Sequence, residues 1–144
     1  PVLIAVDGEV VARAGFGDPL RASARQMIAD LARHGWQVRL LSGDAPQVVQ
    51  AVAAQLGIPA SQAEGGASPE RKREAVTEAR AQGTVVMVGD GVNDAAAIAA
   101  ATVGIAVRGG AEASMAAADV YLAKQGVGSL GELFEGARRT TSVI

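Results

Sequence analysis

Asp90, Asn93 and Asp94, close together in the string Gly89-Asp90-Gly91-Val92-Asn93-Asp94, are the densest group of chemically useful side chains in this sequence. Two carboxylates and an amide beside backbone N–H groups suit a hard cation that itself carries a phosphate. Mg²⁺ takes oxygen ligands and shares them with substrate phosphate and water. The plainer reading is that Asp94 caps a helix and Asp90 closes a turn, as many aspartates do. Residues 84–88 form an uninterrupted apolar, β-branched run, the pattern of a strand buried on both faces. Gly89 and Gly91 break that run, and the alanine-rich residues 95–100 favour helix, with Asn93 and Asp94 as starters. Strand, glycine loop and helix start put the three polar residues at the carboxyl edge of a parallel sheet, where open α/β folds bind ligands.

A second apolar run, Leu40-Leu41, ends in Ser42-Gly43-Asp44 and repeats the design. The Ser42 hydroxyl can donate to a phosphoryl oxygen, and Gly43 admits a ligand close to the backbone. Asp44 either joins that site or caps the helix that follows. The charged cluster Glu70-Arg71-Lys72-Arg73-Glu74 offers a cation, but charge clusters on helices are usually solvated surface, and the sequence leaves open which basic residue points inward. Asp18-Pro19 reads as an N-cap followed by a first helical residue, which leaves Arg21 uncommitted. Asp7 follows an apolar run, yet Asp7-Gly8 between alternating segments is a strong hairpin signal and accounts for it.

The elements that must position these groups follow in order. Residues 2–6 and 9–16 are expected as the two arms of a ribbon. Leu20, Ala24, Met27, Ile28 and Leu31 recur at helical spacing up to Gly35. A strand over 38–41, a helix over 46–56, an irregular connection over 60–66 and a helix from Ser68-Pro69 to Gly83 come next. After the central strand and helix follow a strand over 103–107, a short helix over 111–117, a strand over 120–122 and an amphipathic helix over 129–144. Strands alternating with helices mean an α/β domain with a mainly parallel sheet. The compositional change near residue 17 is the expected boundary, between residues 1–17 and 18–144.

Composition removes several classes. The 144 residues make one domain or most of one. Thirteen basic and 15 acidic residues are well mixed, with net charge −2, and the aromatics are few (two Phe, one Trp, one Tyr). Neither a basic face nor a base-stacking surface exists, so no nucleic-acid partner is expected. There is no cysteine and one histidine, which excludes disulfides within this chain, thiolate metal sites and a histidine cluster. The mean hydropathy of +0.23 comes largely from alanine. No apolar run reaches the roughly 20 residues of a membrane span, so the chain as written is expected to be soluble and cytoplasmic.

The full string Gly89–Asp94 resembles the GDGxND motif of P-type ATPases, in the haloacid dehalogenase superfamily of phosphoryl-transfer enzymes. The resemblance extends over nearly the whole chain. Ser42-Gly43-Asp44 is similar to the T-G-D of these pumps, with the hydroxyl kept. Pro69-Glu70-Arg71-Lys72 is similar to the stretch that carries a phosphoryl-neutralising lysine, with Arg71 as a departure; this favours Lys72, with Arg71 the fallback. Asp18-Pro19-Leu20-Arg21 is similar to the D-P-x-R joining the nucleotide-binding (N) and phosphorylation (P) domains. Residues 103–107 and 117–120 match the family's G-I-A-x and A-D-V runs, read as core.

The resemblance implies a haloacid dehalogenase-like Rossmannoid parallel sheet with flanking helices, in a heavy-metal cation pump that uses ATP and Mg²⁺. Lys72, Ser42, Asp44 and Asp94 would be catalytic, Asp90 and Asp94 would bind the metal, and Asp18, Arg21, Gly43, Gly89, Gly91 and Asn93 would contact the cofactors. Copper is the first expectation for the cargo, which would be bound elsewhere. Residues 1–17 would end the N domain and 18–144 would form the later part of the P domain of a bacterial inner-membrane protein. The rest of that pump, membrane helices included, would be the partner. The nucleophile string D-K-T-G-T is absent, so the strand that carries the catalytic aspartate is expected to be missing, leaving an exposed apolar cleft or self-association. The alternatives are a small soluble Mg²⁺-dependent phosphatase using Asp7, and an inactive domain that binds Mg²⁺ or phosphate. The phosphatase pattern D-x-D-x-T is met only by Asp7 and Glu9, since position 11 is Val.

Overall fold

The computed structural model describes residues 2–14, 19–90, 92–107, 112–123 and 128–141. Two strands, β1 (Val2–Val6) and β2 (Glu9–Ala14), pair antiparallel around Asp7-Gly8. Both turn residues have positive φ, 51° and 84°, the geometry that matches the twist of a two-residue hairpin and that Asp and Gly tolerate best. The ribbon packs chiefly on itself. Val2, Leu3, Ile4, Val6, Val10 and Val11 are all more than half exposed or at that mark.

The remaining elements are α1 (Ala22–Arg33), β3 (Leu40–Leu41), α2 (Pro46–Leu56), β4 (Ala63–Glu64), α3 (Pro69–Arg80) and β5 (Val86–Gly89). They continue with α4 (Ala95–Ala100), β6 (Val103–Val107), α5 (Glu112–Ala117), β7 (Val120–Leu122) and α6 (Gly128–Thr141). Strands β5, β6 and β7 form a parallel sheet in that order, and β3 and β4 form a separate parallel pair. Period-two alternation along the β5 segment sends Val86 and Val88 to one face and Val85 and Met87 to the other. On the first face Ile105 and Leu122 of the sheet meet Leu130 and Phe134 of α6 and Met27 of α1. On the second, Val76 of α3 and Ala97 of α4 close the core. Helices thus cover both faces of a parallel sheet, which is why the strands read as continuous apolar runs. Trp36 meets Phe134 edge-on at 5.1 Å between ring centres and ties the end of α1 to α6.

Several expectations shift. The strand expected over 84–88 is β5, which starts at Val86, the first residue to pair with β6, and ends at Gly89. Helix α1 starts at Ala22, with Arg21 in the cap position in extended conformation, so Pro19 is not its first residue; Asp18 lies outside the described residues. The strand expected over 38–41 shortens to Leu40–Leu41, because only these residues find a partner. The connection over 60–66 contains β4, which pairs in register Leu40 with Ala63 and Leu41 with Glu64. Gln50 of α2 holds that stretch in place, its Nε2 donating to the carbonyls of Ala60 and Ala63.

Among the described residues no strand pairing joins β3 to β5. A cleft of about 630 Å³ lies between them, lined by Leu41, Val85, Met87, Val76 and Ala79, with Arg39, Glu78 and Gln82 making its lining mixed rather than purely apolar. Residues 84–89 are correspondingly half-buried or exposed, since among the described residues β5 pairs on one side only.

Candidate active site

Lys72 reaches out of the first turn of α3 and places its Nζ 2.8 Å from Oδ1 of Asp94. The two side chains are only 12% and 11% exposed, and Asp94 is the one buried charged residue among those described. Burial of that kind is tolerated because each charge satisfies the other. Asp94 ends a 3₁₀ turn over Val92–Asp94 and precedes α4, yet its side chain makes no capping hydrogen bond. The capping reading therefore does not hold for its carboxylate. Gly89, the last residue of β5, is needed beside it, because a Cβ there would come within 2.7 Å of the Asp94 Cβ and 2.8 Å of its Oδ2. Close approach of strand end and carboxylate is what this glycine permits.

Asp90 follows directly at the carboxyl end of β5 and is exposed, as is Asn93. Gly91 lies outside the described residues. Asp90 and Asp94 thus flank one strand end, one open to solvent and one held by a lysine. No group of three or more His, Cys, Asp or Glu side chains that could hold a metal occurs among the described residues. Two carboxylates are nevertheless the usual protein share of a Mg²⁺ site, which fills the rest of its coordination with phosphate and water. The donor set fits that ion with a phosphorylated ligand.

At the end of β3 the Ser42 hydroxyl donates to Oδ2 of Asp44 at 2.8 Å, and the Asp44 N–H donates back to Ser42 Oγ at 3.2 Å. The cap position of α2 is Ala45, with no side-chain capping bond, so Asp44 does not cap that helix either. Gly43 and Asp44 are exposed and Ser42 is half-buried. The loop is fastened from below: Ser42 N–H donates to the Glu64 carbonyl, Gly66 N–H to the Asp44 carbonyl and Ala67 N–H to the Ser42 carbonyl. Arg71, the alternative cation, points elsewhere. Its Nε and Nη2 grip the two oxygens of Glu64 at 2.8 and 3.2 Å, and the ion pair holds the Glu64 carboxyl below its ordinary range and raises the already high Arg71 value. Arg73 is exposed.

The first turn of α3 therefore touches both strand ends, Glu64 beside Ser42 on one side and Asp94 beside Asp90 on the other. Arg21 is exposed and is not brought into this group by any described contact, and Asp7 sits at the tip of the separate ribbon. A larger cleft of about 740 Å³ between α1 and α6 is lined by none of the candidate residues. Sequence reasoning passed over Glu64, since no local pattern marks it; only the pairing of β4 with β3 reveals its place.

A family model for haloacid dehalogenase-like hydrolases matches residues 2–102. The chain belongs to that family. Within it, the chain matches one part of heavy-metal P-type ATPases. It is 40% identical over its whole length to a manganese-exporting P-type ATPase of Mycobacterium tuberculosis, covering 20% of that protein. It is 36% identical over 99% of its length to cation-transporting P-type ATPase B of the same organism, covering 19%. Among solved structures, a zinc-transporting PIB-type ATPase superposes with TM-score 0.84 at 34% identity, over 97% of this chain and 23% of that one. The catalytic domain CopB-B of a CPx-ATPase superposes with TM-score 0.75 at 31% identity, over 90% of this chain and 52% of that one. The haloacid dehalogenase-like α/β fold of the chain is the fold of these P-type ATPase domains. The chain spans about a fifth of the length of the curated relatives it matches. One of those relatives is named for manganese and one of the solved structures for zinc, and the expectation of copper in particular is not supported.

Proposed function

We propose that this chain is the magnesium-binding and phosphoryl-stabilising part of the P domain of an ATP-driven heavy-metal cation pump. The observation that carries the reading is the buried Lys72–Asp94 pair at the carboxyl end of β5, with Lys72 on a helix whose Arg71 also grips Glu64, the residue whose carbonyl accepts the Ser42 N–H. In this reading Asp90 and Asp94 hold Mg²⁺, which when bound neutralises phosphoryl charge. Lys72, aimed by Asp94, holds a phosphoryl oxygen, and its work is electrostatic stabilisation rather than covalent chemistry. Ser42 has a single O–H, now given to Asp44. On donating to a phosphoryl oxygen the hydroxyl rotates away, while the Asp44 N–H continues to hold Oγ in place. Asn93 and the backbone at Gly43, Gly89 and Gly91 complete the surroundings of the phosphoryl group.

The phosphorylated aspartate belongs, in this reading, to a segment outside this chain whose strand lies between β3 and β5. The facing edges of β3 and β5, which pair with no strand there among the described residues, and the cleft between them support that placement. Residues 1–17 are assigned to the end of the N domain, which brings ATP towards Asp18 and Arg21, and residues 18–144 to the P domain. The exposed apolar faces of the ribbon support the first assignment. The remainder of the pump, membrane helices included, is then the partner and carries the transported ion, with this chain on the cytoplasmic side of a bacterial membrane. Among the described residues no helix is long and apolar enough to cross a membrane. The phosphatase alternative is not favoured, because the hairpin turn accounts for Asp7.

The test is acid-stable labelling with γ-labelled ATP and Mg²⁺. The isolated chain should form no phosphoenzyme. A labelled band lost on Asp7→Asn would overturn the reading.

A further inference from the structure

We propose that Arg71 is a positioning residue, which by gripping Glu64 sets Lys72 and Asp94 at a fixed separation from the Ser42–Asp44 loop. The proposal rests on the functional reading above, in which these groups act on one phosphoryl group. Consecutive residues of an α-helix point about 100° apart. Arg71 and Lys72 accordingly leave the first turn of α3 in different directions, one to the end of β4 and the other to Asp94. The Arg71 guanidinium engages both oxygens of Glu64, and its Nη1 lies 3.3 Å from Oε1 of Glu78. The Glu64 carbonyl in turn accepts the N–H of Ser42. A short chain of contacts thus runs from Ser42 through Glu64 and Arg71 to Lys72 and Asp94.

Its importance comes from the topology. Sheets β3–β4 and β5–β6–β7 share no strand pairing among the described residues, so their separation is not set by a hydrogen-bonded ladder. Two adjacent side chains of α3 bridge them instead. A half-exposed ion pair adds little stability, but a bidentate fork fixes direction in a way a lysine cannot. The Ser68 hydroxyl, which accepts the Arg71 N–H, holds the same turn from the backbone side.

The chain has no cysteine, so Gln47→Cys and Ala99→Cys, both at exposed positions on α2 and α4, can be spin-labelled cleanly. Pulsed distance measurement on the labelled chain should give one narrow distribution. Arg71→Ala should broaden it, Arg71→Lys should broaden it less, and the exchange Glu64→Arg with Arg71→Glu should narrow it again, while Arg73→Ala leaves it unchanged. Unchanged distributions in both Arg71 variants would overturn the proposal. In the longer protein that carries this chain, Arg71→Ala should lower kcat for ATP hydrolysis about tenfold with KM unchanged. A change in KM alone, or a loss that merely follows unfolding, would contradict it. A wild-type protein that never hydrolyses ATP would overturn the functional reading instead, and the distance measurement would still decide the clamp.

Discussion

Lys72 and Asp94 balance each other's charge inside the protein, and removing either leaves the other uncompensated. Breaking such a buried pair costs about 3–5 kcal/mol, more than the pair contributes over an apolar replacement. Lys72→Met should therefore destabilise by about 3 kcal/mol in urea unfolding. Adding Asp94→Asn should recover at least about 1 kcal/mol as coupling between neighbours; strictly additive losses would contradict the pairing. Glu64 offers a pH test. Arg71 lowers its folded value below the ordinary 4.5, so the unfolded chain binds the extra proton. The stability it contributes is complete above about pH 4.5 and is lost as the pH falls through the lowered folded value. Glu64→Gln should flatten that part of the acid-unfolding profile; an unchanged profile would mean the ion pair does not act on folding. At this scale the sequence was legible only in part. The spacing of Asp90 and Asp94 after an apolar run located the strand end. The partition of Arg71 and Lys72 between Glu64 and Asp94 was not readable, because both lie in one charged turn and only tertiary contacts separate them.

Among the elements, β5 and α4 meet so closely that the loop between them tolerates little. Gly89→Ala would set a methyl group against the Asp94 carboxylate. It should cost about 1–3 kcal/mol, the range for overpacking, and loosen the Lys72–Asp94 bond. Thermal unfolding checks the first effect and a crystal structure the second; a variant as stable as the parent would mean that α4 can shift freely. Elements with local signals were readable in advance: the Asp7-Gly8 hairpin, the proline-led starts of α2 and α3 and the apolar strand β6. The start of α1 was not, since an Asp-Pro pair marks a possible helix start without forcing the chain into it. Strand β4 escaped because two residues carry no period, and its existence depends on Leu40, Leu41 and Gln50.

At the scale of the whole molecule, two parallel sheets flank a cleft among the described residues, and an apolar ribbon packs chiefly on itself. In the proposed reading both features have a common reason: each is a surface to be covered by other parts of a pump, in keeping with relatives about five times the length of this chain. The fold class followed from alternating strands and helices, and a gap in the sheet followed from the absent D-K-T-G-T string, whereas the mixed lining of the cleft, with Arg39, Glu78 and Gln82, shows only in three dimensions. The most direct measurement is acid-stable labelling of native membranes with γ-labelled ATP, followed by capture with an antibody against these 144 residues. A labelled membrane band several times larger than 14.5 kDa is the expected result. A soluble, unlabelled band at 14.5 kDa would contradict the account.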